Sequence, residues 1–427
     1  MASLAPGDLV PLIIDKPAAG GRMLARREGQ VVLVSGAIPG EEVVARVERV
    51  AKGLAYASLE TVTVLSPDRR DPGVDPVCGG CLYSHITYAR QLAIKGEIIR
   101  DAFIRIGRIP IAAPVAVRGS RSEEGYRMRA RLHIRGGRIG FFREGTHELC
   151  DARITRQLLP SSCDVLERTA LALGTAGDLA GEIELSENLD ATARVIHVEA
   201  ASALPQRTVA ALAALDDVTG VTSGRPFATD DVRVIAGDPH VADEMTLGHV
   251  SVRLQRHVLS FFQGNRYLVQ DLAIHVTDLI PRSANIVDLY AGTGLFAVAA
   301  AAARDAHVVA VEGDRVAAKD LDANAAGARG AIEAVHQSVE AFTSRMRPAP
   351  DVLIVDPPRT GLSREALEGA VRMRGEAVVY VSCDVATLAR DARRLLDAGY
   401  TLRQVNGFDL FPNTPHVEVV AVFDCAD

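Results

Sequence analysis

The 427-residue sequence lacks any apolar run long enough to cross a membrane. Its longest uninterrupted apolar stretch, residues 295–303, falls far short of the roughly 20 residues that a transmembrane helix needs. The N-terminal residues also lack the basic region and apolar stretch of a secretory signal peptide. We therefore expect a cytoplasmic protein with no membrane partner. A composition of 48% hydrophobic and 24% charged residues predicts folded domains rather than disorder.

The sequence has no excess of basic residues. Its 47 lysines and arginines are outnumbered by 54 aspartates and glutamates, which gives a formal net charge of −7. This balance excludes a uniformly basic nucleic-acid binder, but it allows a basic patch on one face. Lysine is especially scarce, so most of the positive charge is arginine, whose planar guanidinium contacts phosphate through two parallel hydrogen bonds.

Cysteine is uncommon, and its spacing is irregular. The six cysteines are at positions 78, 81, 150, 163, 383 and 425. Small secreted domains rely on dense disulfides, whereas a large chain with scattered cysteines more often uses them as metal ligands or nucleophiles. We therefore expect metal or catalytic roles rather than a disulfide framework.

The chain divides into three parts. Residues 1–64 alternate Val, Leu and Ile with Gly and Pro, which predicts the short strands of a small β-barrel. Residues 65–250 begin with a linker rich in Pro, Asp and Arg and continue as a mixed α+β segment. Residues 251–427 alternate strands with helices, which predicts an α/β fold with a mostly parallel sheet and an antiparallel pair at its end.

A glycine turn follows the first strand of that sheet, in the segment DLYAGTG at 288–294. Gly292 and Gly294 allow a tight turn close to a cofactor. Glu312, at the end of the next strand, can accept hydrogen bonds from a ribose diol. The pattern indicates a nucleoside cofactor and fits two of them: NAD, through the spacing Gly-x-Gly-x-x-Ala, and S-adenosylmethionine.

Three more side chains follow later strands of the same sheet. Asp356 precedes two prolines that stiffen the corner, Cys383 lies where a helix N-terminus would stabilise a thiolate, and Glu418 comes near the C-terminus. Taken alone, Glu418 is best interpreted as an outward-facing strand carboxylate. A thiol and a carboxylate beside a cofactor nevertheless suit methylation of a pyrimidine at C5, because a thiolate that adds to C6 activates C5 and a base then removes the C5 proton.

Five motifs in this order resemble those of the S-adenosylmethionine-dependent RNA 5-methyluridine methyltransferases that do not use radical chemistry. They are FFQGN (261–265), DLYAGTG (288–294), DPPRTG (356–361), VSCDVATLARD (381–391) and FPNTPHVEVV (411–420). The resemblance extends over nearly the whole chain. It implies a Rossmann-like seven-stranded methyltransferase sheet, an N-terminal OB-like RNA-binding barrel of the TRAM type and a mixed α+β central domain.

The resemblance also implies roles for individual residues. Cys383 would be the nucleophile and Glu418 the base. The S-adenosylmethionine-binding positions would be Gln263, Tyr290, Gly292, Gly294, Glu312 and Asp356. The roles of Glu418 and Gln263 rest on the resemblance alone.

The segment Cys78-Gly-Gly-Cys81 is similar to the iron–sulfur segment of the ribosomal-RNA branch of this family. With Cys150 as the downstream ligand, the resemblance implies a [4Fe–4S] cluster. The family's further cysteine, six residues ahead of this segment, is Pro72 here, and Cys163 is the remaining candidate for a fourth ligand. A structural zinc ion and a metal-free segment are the alternatives.

A second departure from the family follows the nucleophile. The family usually has Ser-Cys-Asn-Pro where this chain has Ser-Cys-Asp384-Val385. The additional carboxylate is expected to oppose formation of the Cys383 thiolate. We still expect activity, because the nucleophile, base and cofactor motifs are all present.

Arginines between residues 118 and 143 indicate how an acidic protein could hold RNA. This stretch contains eight arginines and two glutamates. Alternate positions in YRMRARLHIR share one face of a strand. Arg129 and Arg131 are therefore expected to contact phosphates.

These features together predict transfer of a methyl group from S-adenosylmethionine to C5 of a uridine in structured RNA by a monomeric enzyme. We expect 23S ribosomal RNA as the substrate, with transfer RNA as the alternative. Asp384 and Val385 leave open an RNA-binding assembly factor with an impaired site. A 5-methylcytidine enzyme is disfavoured, because such enzymes commonly use two cysteines near the pocket and only Cys383 is visible there.

Overall fold

In the computed structural model, which describes residues 4–174, 180–225, 232–345 and 348–426, the N-terminal part is a closed barrel. Its strands are β1 (Leu9–Pro17), β2 (Met23–Arg27), β3 (Gln30–Ser35), β4 (Glu42–Ala51) and β5 (Leu54–Val64). They pair in the order β1–β2–β3–β5–β4, antiparallel except for β3 with β5. Alternate residues of β1 point inward and fill the barrel with apolar side chains. The predicted barrel is confirmed.

A single long helix follows the barrel and the linker. This helix, α1 (Tyr88–Ala102), continues into one π-helical turn at Phe103–Gly107. Ile94 and Ile98 on α1 pack into the barrel core, whereas Ile99 packs into the core of the C-terminal sheet. The helix therefore contacts both ends of the molecule, which matters for the active site below.

The central part is a seven-stranded sheet covered by two helices, in agreement with the predicted mixed α+β segment. The strand order is β13–β12–β11–β10–β7–β8–β9. The strands are β7 (Arg129–Arg135), β8 (Arg138–Phe142), β9 (Leu149–Asp151), β10 (Ala180–Glu187), β11 (Arg194–Ala200), β12 (Gly220–Gly224) and β13 (Arg233–Gly237), and the helices are α2 (Pro160–Leu173) and α3 (Gln206–Ala213). Apolar residues of α2 and the inner strands form its core.

A two-stranded hairpin connects the central sheet to the C-terminal part. It consists of β14 (His240–Leu247) and β15 (Val250–His257). Met245, Val252 and Leu254 of the hairpin belong to the core of the C-terminal sheet. The predicted boundary between residues 250 and 251 would divide this hairpin, so the geometry favours a boundary ahead of β14. The three-part division itself stays a prediction.

The C-terminal part is the predicted α/β sheet. The order is β18–β17–β16–β19–β20–β22–β21–β6, so a two-residue strand from before the central sheet adds an eighth strand to the expected seven. The strands are β16 (Asn285–Leu289), β17 (His307–Glu312), β18 (Ala331–His336), β19 (Val352–Val355), β20 (Ala377–Ser382), β21 (Tyr400–Phe408), β22 (Glu418–Cys425) and β6 (Val117–Arg118). The five strands β16–β20 are parallel, and β22 runs antiparallel to both neighbours. This fold class is the predicted one.

Helices cover both faces of this sheet. They are α4 (Val269–Asp278), α5 (Leu295–Arg304), α6 (Arg315–Gly327), α7 (Val339–Thr343), α8 (Arg364–Met373) and α9 (Val385–Asp397). One apolar layer contains α4 and α5, and the other contains α8, α9 and part of α1. The sheet is thus buried on both sides, as expected for parallel strands, and its carboxyl edge is left to form a site. None of the helices in the described ranges combines the length and apolarity that a bilayer crossing requires.

Candidate active site

The glycine turn lies at the carboxyl end of β16, where the sequence places it. Tyr290, Gly292 and Gly294 all have positive φ angles, of 63°, 57° and 93°. A Cβ at Gly294 would lie 2.9 Å from the side chain of Leu321, so glycine is required there for the turn to pack against α6. At Gly292 no atom lies within 4 Å of that position. The turn is therefore packed on one side and open on the other, as a cofactor-binding turn needs to be.

Glu312 ends β17 and braces this turn. Its two carboxylate oxygens accept hydrogen bonds from the backbone N–H groups of Gly292, at 2.7 Å, and Asp314, at 2.6 Å. A carboxylate has further lone pairs, so Glu312 could also accept from a ribose hydroxyl. The structure thus places the predicted positions Tyr290, Gly292, Gly294 and Glu312 around one corner of the sheet.

Asp288, in β16, was not singled out from the sequence, although it begins the DLYAGTG motif. It is fully buried, and within the described residues neither of its carboxylate oxygens has a hydrogen-bond partner. Burial raises its pKa well above the ordinary value, and the charges of Asp356 and Glu312 add to the shift. Buried polar atoms are nearly always hydrogen-bonded, so the orphaned carboxyl group fits a bound ligand at the turn. The residues at this corner accordingly fit a nucleoside cofactor such as S-adenosylmethionine.

Asp356 and Gln263 meet at the next strand end. Asp356 follows β19, and the Gln263 side chain donates a hydrogen bond to it at 3.5 Å. Burial raises the pKa of Asp356 to about 7, with the hydrogen bond from Gln263 lowering it and the charge of Glu312 raising it. The segment 261–265 thus contributes to the same edge as the strand ends, which its distance in sequence does not reveal.

Cys383 follows β20 and precedes α9, and it is only partly buried. Burial and the charges of Glu418 and Asp356 raise the pKa of its thiol to about 11, while Arg359 lowers it through its charge and a hydrogen bond. The cysteine is therefore accessible and lies beside the other strand-end residues. If the Cys383 thiol were fully buried in the core, it could not reach a substrate and could not be the predicted nucleophile.

Glu418 is the first residue of β22 and is 2% exposed. In the antiparallel pair of β20 and β22, Ser382 lies opposite Val419, so the residues beyond them, Cys383 and Glu418, are at the same end. Burial raises the pKa of Glu418 well above its ordinary value, and the nearby Asp356 charge adds to this while Arg359 opposes it. A buried carboxyl group with a raised pKa suits a general base better than an outward strand position would.

Asp384 follows the nucleophile and caps the next helix. Its side chain accepts a hydrogen bond from the Thr387 N–H of α9 at 2.8 Å. The acids that raise the pKa of the Cys383 thiol most are Glu418 and Asp356, which belong to the family motifs. The expected effect of Asp384 on the thiolate stays a prediction.

Arg359 is the functional residue that the sequence analysis missed. Its guanidinium lies close enough to influence the pKa of both Cys383 and Glu418. It directly follows the two prolines after Asp356. Its position after a strand end could have identified it, because the same criterion identified Asp356 and Cys383.

The three cysteines predicted as metal ligands lie together in a separate buried cluster. Cys78 and Cys150 are joined by a disulfide, and Cys81 is a free thiol with 1% exposure. An Asp75 oxygen lies within 4.8 Å of both disulfide sulfurs. Burial raises the pKa of the Cys81 thiol to about 12, and the Asp75 charge contributes. Cys163 lies on α2 and packs into the central core, so the structure does not place it with the other three cysteines as a fourth ligand.

When the disulfide is reduced, Cys78, Cys150 and Asp75 offer three donor atoms that lie within 4.8 Å of one another. Cys81 belongs to the same buried cysteine cluster and would be the fourth donor that a tetrahedral zinc ion or a [4Fe–4S] cluster requires. The chemistry of this donor set therefore fits such a group, with oxygen in place of one sulfur. The three cysteines remain predicted ligands, and Asp75 is the donor that the sequence did not indicate.

The arginines of β7 share one face of the central sheet, as their alternation predicts, but this face is not basic. Arg129 pairs with Glu184 at 3.4 Å. Arg131 contacts Glu182, Glu184 and Glu199 at 3.0, 2.8 and 2.6 Å. The neighbouring strands β10 and β11 place these carboxylates beside the arginines. Arg129 and Arg131 are therefore already paired with carboxylates, and their expected contacts with phosphates stay a prediction.

Comparisons with known proteins agree with this geometry. Residues 228–424 match the family model for tRNA (uracil-5-)-methyltransferases, and residues 5–59 match the TRAM domain. The 23S rRNA (uracil(1939)-C(5))-methyltransferase RlmD of Halomonas elongata is 31% identical, covering 97% of this chain and 89% of its own length. An uncharacterized RNA methyltransferase of Thermosynechococcus vestitus is 29% identical, covering 97% and 98%.

A solved structure is similar over the same extent. The crystal structure of the Pyrococcus abyssi tRNA (uracil-54, C5)-methyltransferase, in complex with S-adenosyl-L-homocysteine, superposes with a TM-score of 0.74. The two chains are 25% identical, and the match covers 97% of this chain and 100% of that one. The similarity includes the barrel, the central sheet and the C-terminal sheet.

Proposed function

This chain belongs to the family of S-adenosylmethionine-dependent RNA uracil-5-methyltransferases, and we propose that Cys383 and Glu418 carry out its reaction on a uridine of 23S ribosomal RNA. The observation that supports these roles most strongly is the placement of an accessible thiol and a buried carboxyl group at the same end of two paired strands. Arg359 beside both groups supplies the positive charge that a thiolate needs.

The proposed reaction begins and ends with a free Cys383 thiolate. The Cys383 thiolate adds to C6 of the uracil, which forms an S–C6 bond and moves the C5=C6 electrons toward C5 and O4. C5 then takes the methyl group, while the sulfur–methyl bond of the donor breaks and its electrons stay on sulfur as S-adenosylhomocysteine. Glu418 accepts the C5 proton, the C5=C6 bond re-forms, and the S–C6 bond breaks to return the thiolate.

The protein's own residues divide this work. Arg359 favours the thiolate that attacks, and the raised pKa of Glu418 makes its carboxylate a stronger base once it is ionised. A hydrogen bond joins Gln263 to Asp356 at the end of β19, which lies between the glycine turn after β16 and Cys383 after β20. S-adenosylmethionine, bound at Tyr290, Gly292, Gly294 and Glu312, supplies the methyl group.

The test is to identify the product and the RNA that carries it. The protein is incubated with S-adenosylmethionine labelled in its methyl group and with 23S rRNA fragments or tRNA transcripts, and the labelled nucleoside is identified by mass spectrometry. We expect 5-methyluridine in a 23S fragment. Label in tRNA alone would overturn the substrate, and 5-methylcytidine would overturn the target base. RNA binding without any label transfer would identify an assembly factor.

Two findings support ribosomal RNA over transfer RNA. The relative named for 23S rRNA is 31% identical over 97% of this chain, whereas the tRNA enzyme of known structure is 25% identical. The segment Cys78–Cys81 is also similar to that of the ribosomal-RNA branch. We further propose that the enzyme acts as a cytoplasmic monomer. Light scattering of the purified protein tests the monomer.

We also propose that Cys78, Cys81 and Cys150 hold a [4Fe–4S] cluster, with the Asp75 carboxylate as the fourth ligand. Two observations support this assignment: the three cysteines lie in one buried cluster, and an Asp75 oxygen lies within 4.8 Å of the Cys78 and Cys150 sulfurs. The test is iron and sulfide analysis with a visible-absorbance scan of anaerobically purified protein. Cys81→Ala is expected to lose the iron, and Cys163→Ala, a buried cysteine elsewhere, is the matched control that should keep it.

Other outcomes of that analysis identify the alternatives. Stoichiometric zinc without sulfide would replace the cluster by a structural zinc site. A colourless, metal-free and fully folded preparation would remove the metal altogether. Iron that survives in Asp75→Ala with an unchanged absorbance spectrum would exclude Asp75 as a ligand.

A further inference from the structure

The loop that leads into Glu418 is held by a helix outside the C-terminal sheet. This loop, residues 409–417, connects β21 to β22 and leads directly into Glu418. Gln91 and Lys95 lie one turn apart on the buried side of α1, and both are 0% exposed. Lys95 directs its ammonium group at the loop, and the Gln91 amide bonds both the loop and two backbone carbonyl oxygens ahead of α1. The helix that joins the barrel to the C-terminal sheet thus also contacts the segment that carries the proposed base.

Lys95 contacts the start of the loop. Its Nζ donates hydrogen bonds to the carboxylate of Asp409, which is also fully buried, and to the carbonyl oxygen of Phe411 at 3.1 Å. Burial lowers the pKa of Lys95, and the charge of Asp409 opposes that shift. Removing two such charges from water is unfavourable, and apolar residues of similar volume often stabilise a core as well or better. A gain in stability therefore does not explain why the chain has this ion pair. Its effect on the position of the loop does.

Gln91 contacts the middle of the loop through Asn413. The Gln91 amide donates to Asn413 Oδ1 at 2.9 Å, and the Asn413 N–H donates back to Gln91 Oε1 at 2.9 Å. Asn413 has a φ of 63°, a left-handed conformation that Asn tolerates better than most residues. Its carbonyl oxygen also accepts a hydrogen bond from the Tyr83 N–H at 2.8 Å. The loop is thus held in a strained conformation by bonds from outside itself.

The chain reaches Glu418 only five residues after Asn413. In between, the Thr414 hydroxyl accepts from the His416 N–H at 3.2 Å and donates to the Phe411 carbonyl at 2.7 Å, so the loop is tied internally to the same carbonyl that Lys95 binds. A displacement of the loop at Phe411 or Asn413 would therefore be passed to the Glu418 side chain. A base displaced by about 1 Å loses up to about 100-fold in rate.

We propose that Gln91 and Lys95 are positioning residues for the proton-abstraction step. They act through the loop on the direction of the Glu418 side chain and do not touch the nucleophile. The inference rests on the proposed role of Glu418. Loss of either side chain should slow the release of methylated RNA while leaving attack by Cys383 and methyl transfer intact.

The experiment measures the two stages separately in Lys95→Met and Gln91→Leu. RNA that contains 5-fluorouridine reports attack and methyl transfer alone, because fluorine cannot be removed as a proton and the adduct persists. Ordinary RNA reports the complete cycle. We expect adduct formation on the fluorinated RNA within about 2-fold of the wild-type rate, and release from ordinary RNA slowed about 10- to 100-fold with accumulation of covalent complex.

Ile94→Ala is the matched control, since Ile94 is equally buried on α1 but packs into the barrel core. It should alter neither stage selectively. Equal slowing of both stages in the two test variants, or slowing of neither, would overturn the inference. If Lys95→Met fails to fold, as judged by circular dichroism, Gln91→Leu decides the question because it removes no charge.

Glu418→Gln, run alongside, separates this inference from the function it rests on. If Glu418→Gln releases product normally, the assignment of the base is wrong. If Glu418→Gln stalls while Lys95→Met and Gln91→Leu release normally, the base assignment stands and only the positioning role is overturned.

Discussion

Charged groups at the catalytic edge of the C-terminal sheet are crowded and short of counterions, whereas those inside the central part of the molecule are paired. Asp288 and Glu418 are buried and Asp356 is half-buried, and desolvation together with a neighbouring acid raises the pKa of each. Arg359 is the guanidinium that opposes this effect at Glu418 and Cys383.

The interface between the central sheet and the hairpin contains charges that are just as buried. Arg256 and Asp243, both at most 1% exposed, form an ion pair at 2.7 Å. Glu187 is contacted by both Arg194 and Arg266. Every one of these charges has a partner of the opposite sign. These ion pairs therefore fix the central sheet and the hairpin relative to each other.

The comparison indicates how buried charges with a proposed role in the reaction differ from buried charges that only stabilise the fold. Buried charges with partners stabilise a geometry, whereas buried acids without enough cations have raised pKa values, which suits groups that take up and release protons. The following predictions test this contrast, in order of decreasing expected effect.

The largest effect is expected for Glu418→Gln. Glutamine keeps the shape of the side chain but cannot take the C5 proton, so turnover should fall about 10²- to 10⁴-fold. Attack should continue, and a covalent protein–RNA complex should accumulate on a denaturing gel. Glu376→Gln, at the opposite end of the sheet, is the matched control and should turn over normally. Normal turnover by Glu418→Gln would show that Glu418 is not the base, and it would contradict the contrast between the two regions.

Arg359→Ala should have the next largest effect. The pKa of the Cys383 thiol is about 11, so the thiolate fraction, and with it kcat/KM, rises with pH across the neutral range. Arg359 lowers this pKa, and its loss should raise the pKa further and displace the pH profile to higher pH. A hydrogen bond to a charged group contributes about 1.5–3 kcal/mol, so adduct formation near neutral pH should slow about 10- to 100-fold. Arg359→Lys should restore part of the rate. An unshifted profile in Arg359→Ala would contradict this role.

Arg131→Glu tests the paired side of the comparison. Reversing this charge places a carboxylate next to the glutamates of β10 and β11. Like charges on neighbouring strands are unfavourable, so we expect a loss of about 1–2 kcal/mol in the free energy of unfolding. Urea denaturation measures this loss. A variant that keeps its stability but binds RNA less tightly would restore the original interpretation of these arginines as phosphate ligands.

The smallest effect is expected at the tip of the β7–β8 hairpin. Arg135 and Arg138 lie opposite each other there and are exposed, and the described residues supply neither with an ion pair. We expect Arg135→Glu and Arg138→Glu to leave stability unchanged but to weaken RNA binding. The slope of log K against log salt should decrease by about one for each phosphate contact that is lost. An unchanged salt slope would exclude this tip from the RNA-binding surface.

The sequence predicts which residues meet at the carboxyl edge of the C-terminal sheet, because that geometry is local. Cys383, Asp356 and Glu312 each follow a recognisable strand, and parallel strands necessarily end at one edge. Glu418 lies in an antiparallel strand, where strand position alone does not distinguish a base from a surface carboxylate. It was identified only through the resemblance to a family.

Long-range contacts are the part that the sequence could not predict. The glutamates that neutralise Arg131 come from strands more than 50 residues away, so counting charges within residues 118–143 overestimates the basic character of the face. The contacts of Lys95 with the loop before Glu418 span more than 300 residues. Such pairings depend on how the central part packs on the sheet, which periodicity does not reveal.

The most direct test of the whole account is to locate the covalent bond between protein and RNA. RNA that contains 5-fluorouridine is incubated with the protein and S-adenosylmethionine, the trapped adduct is digested, and the modified peptide is sequenced by tandem mass spectrometry. The account predicts the nucleotide on the sulfur of Cys383, lost in Cys383→Ala and retained in Cys425→Ala. Attachment to any other residue, or methylation without an adduct, would contradict it.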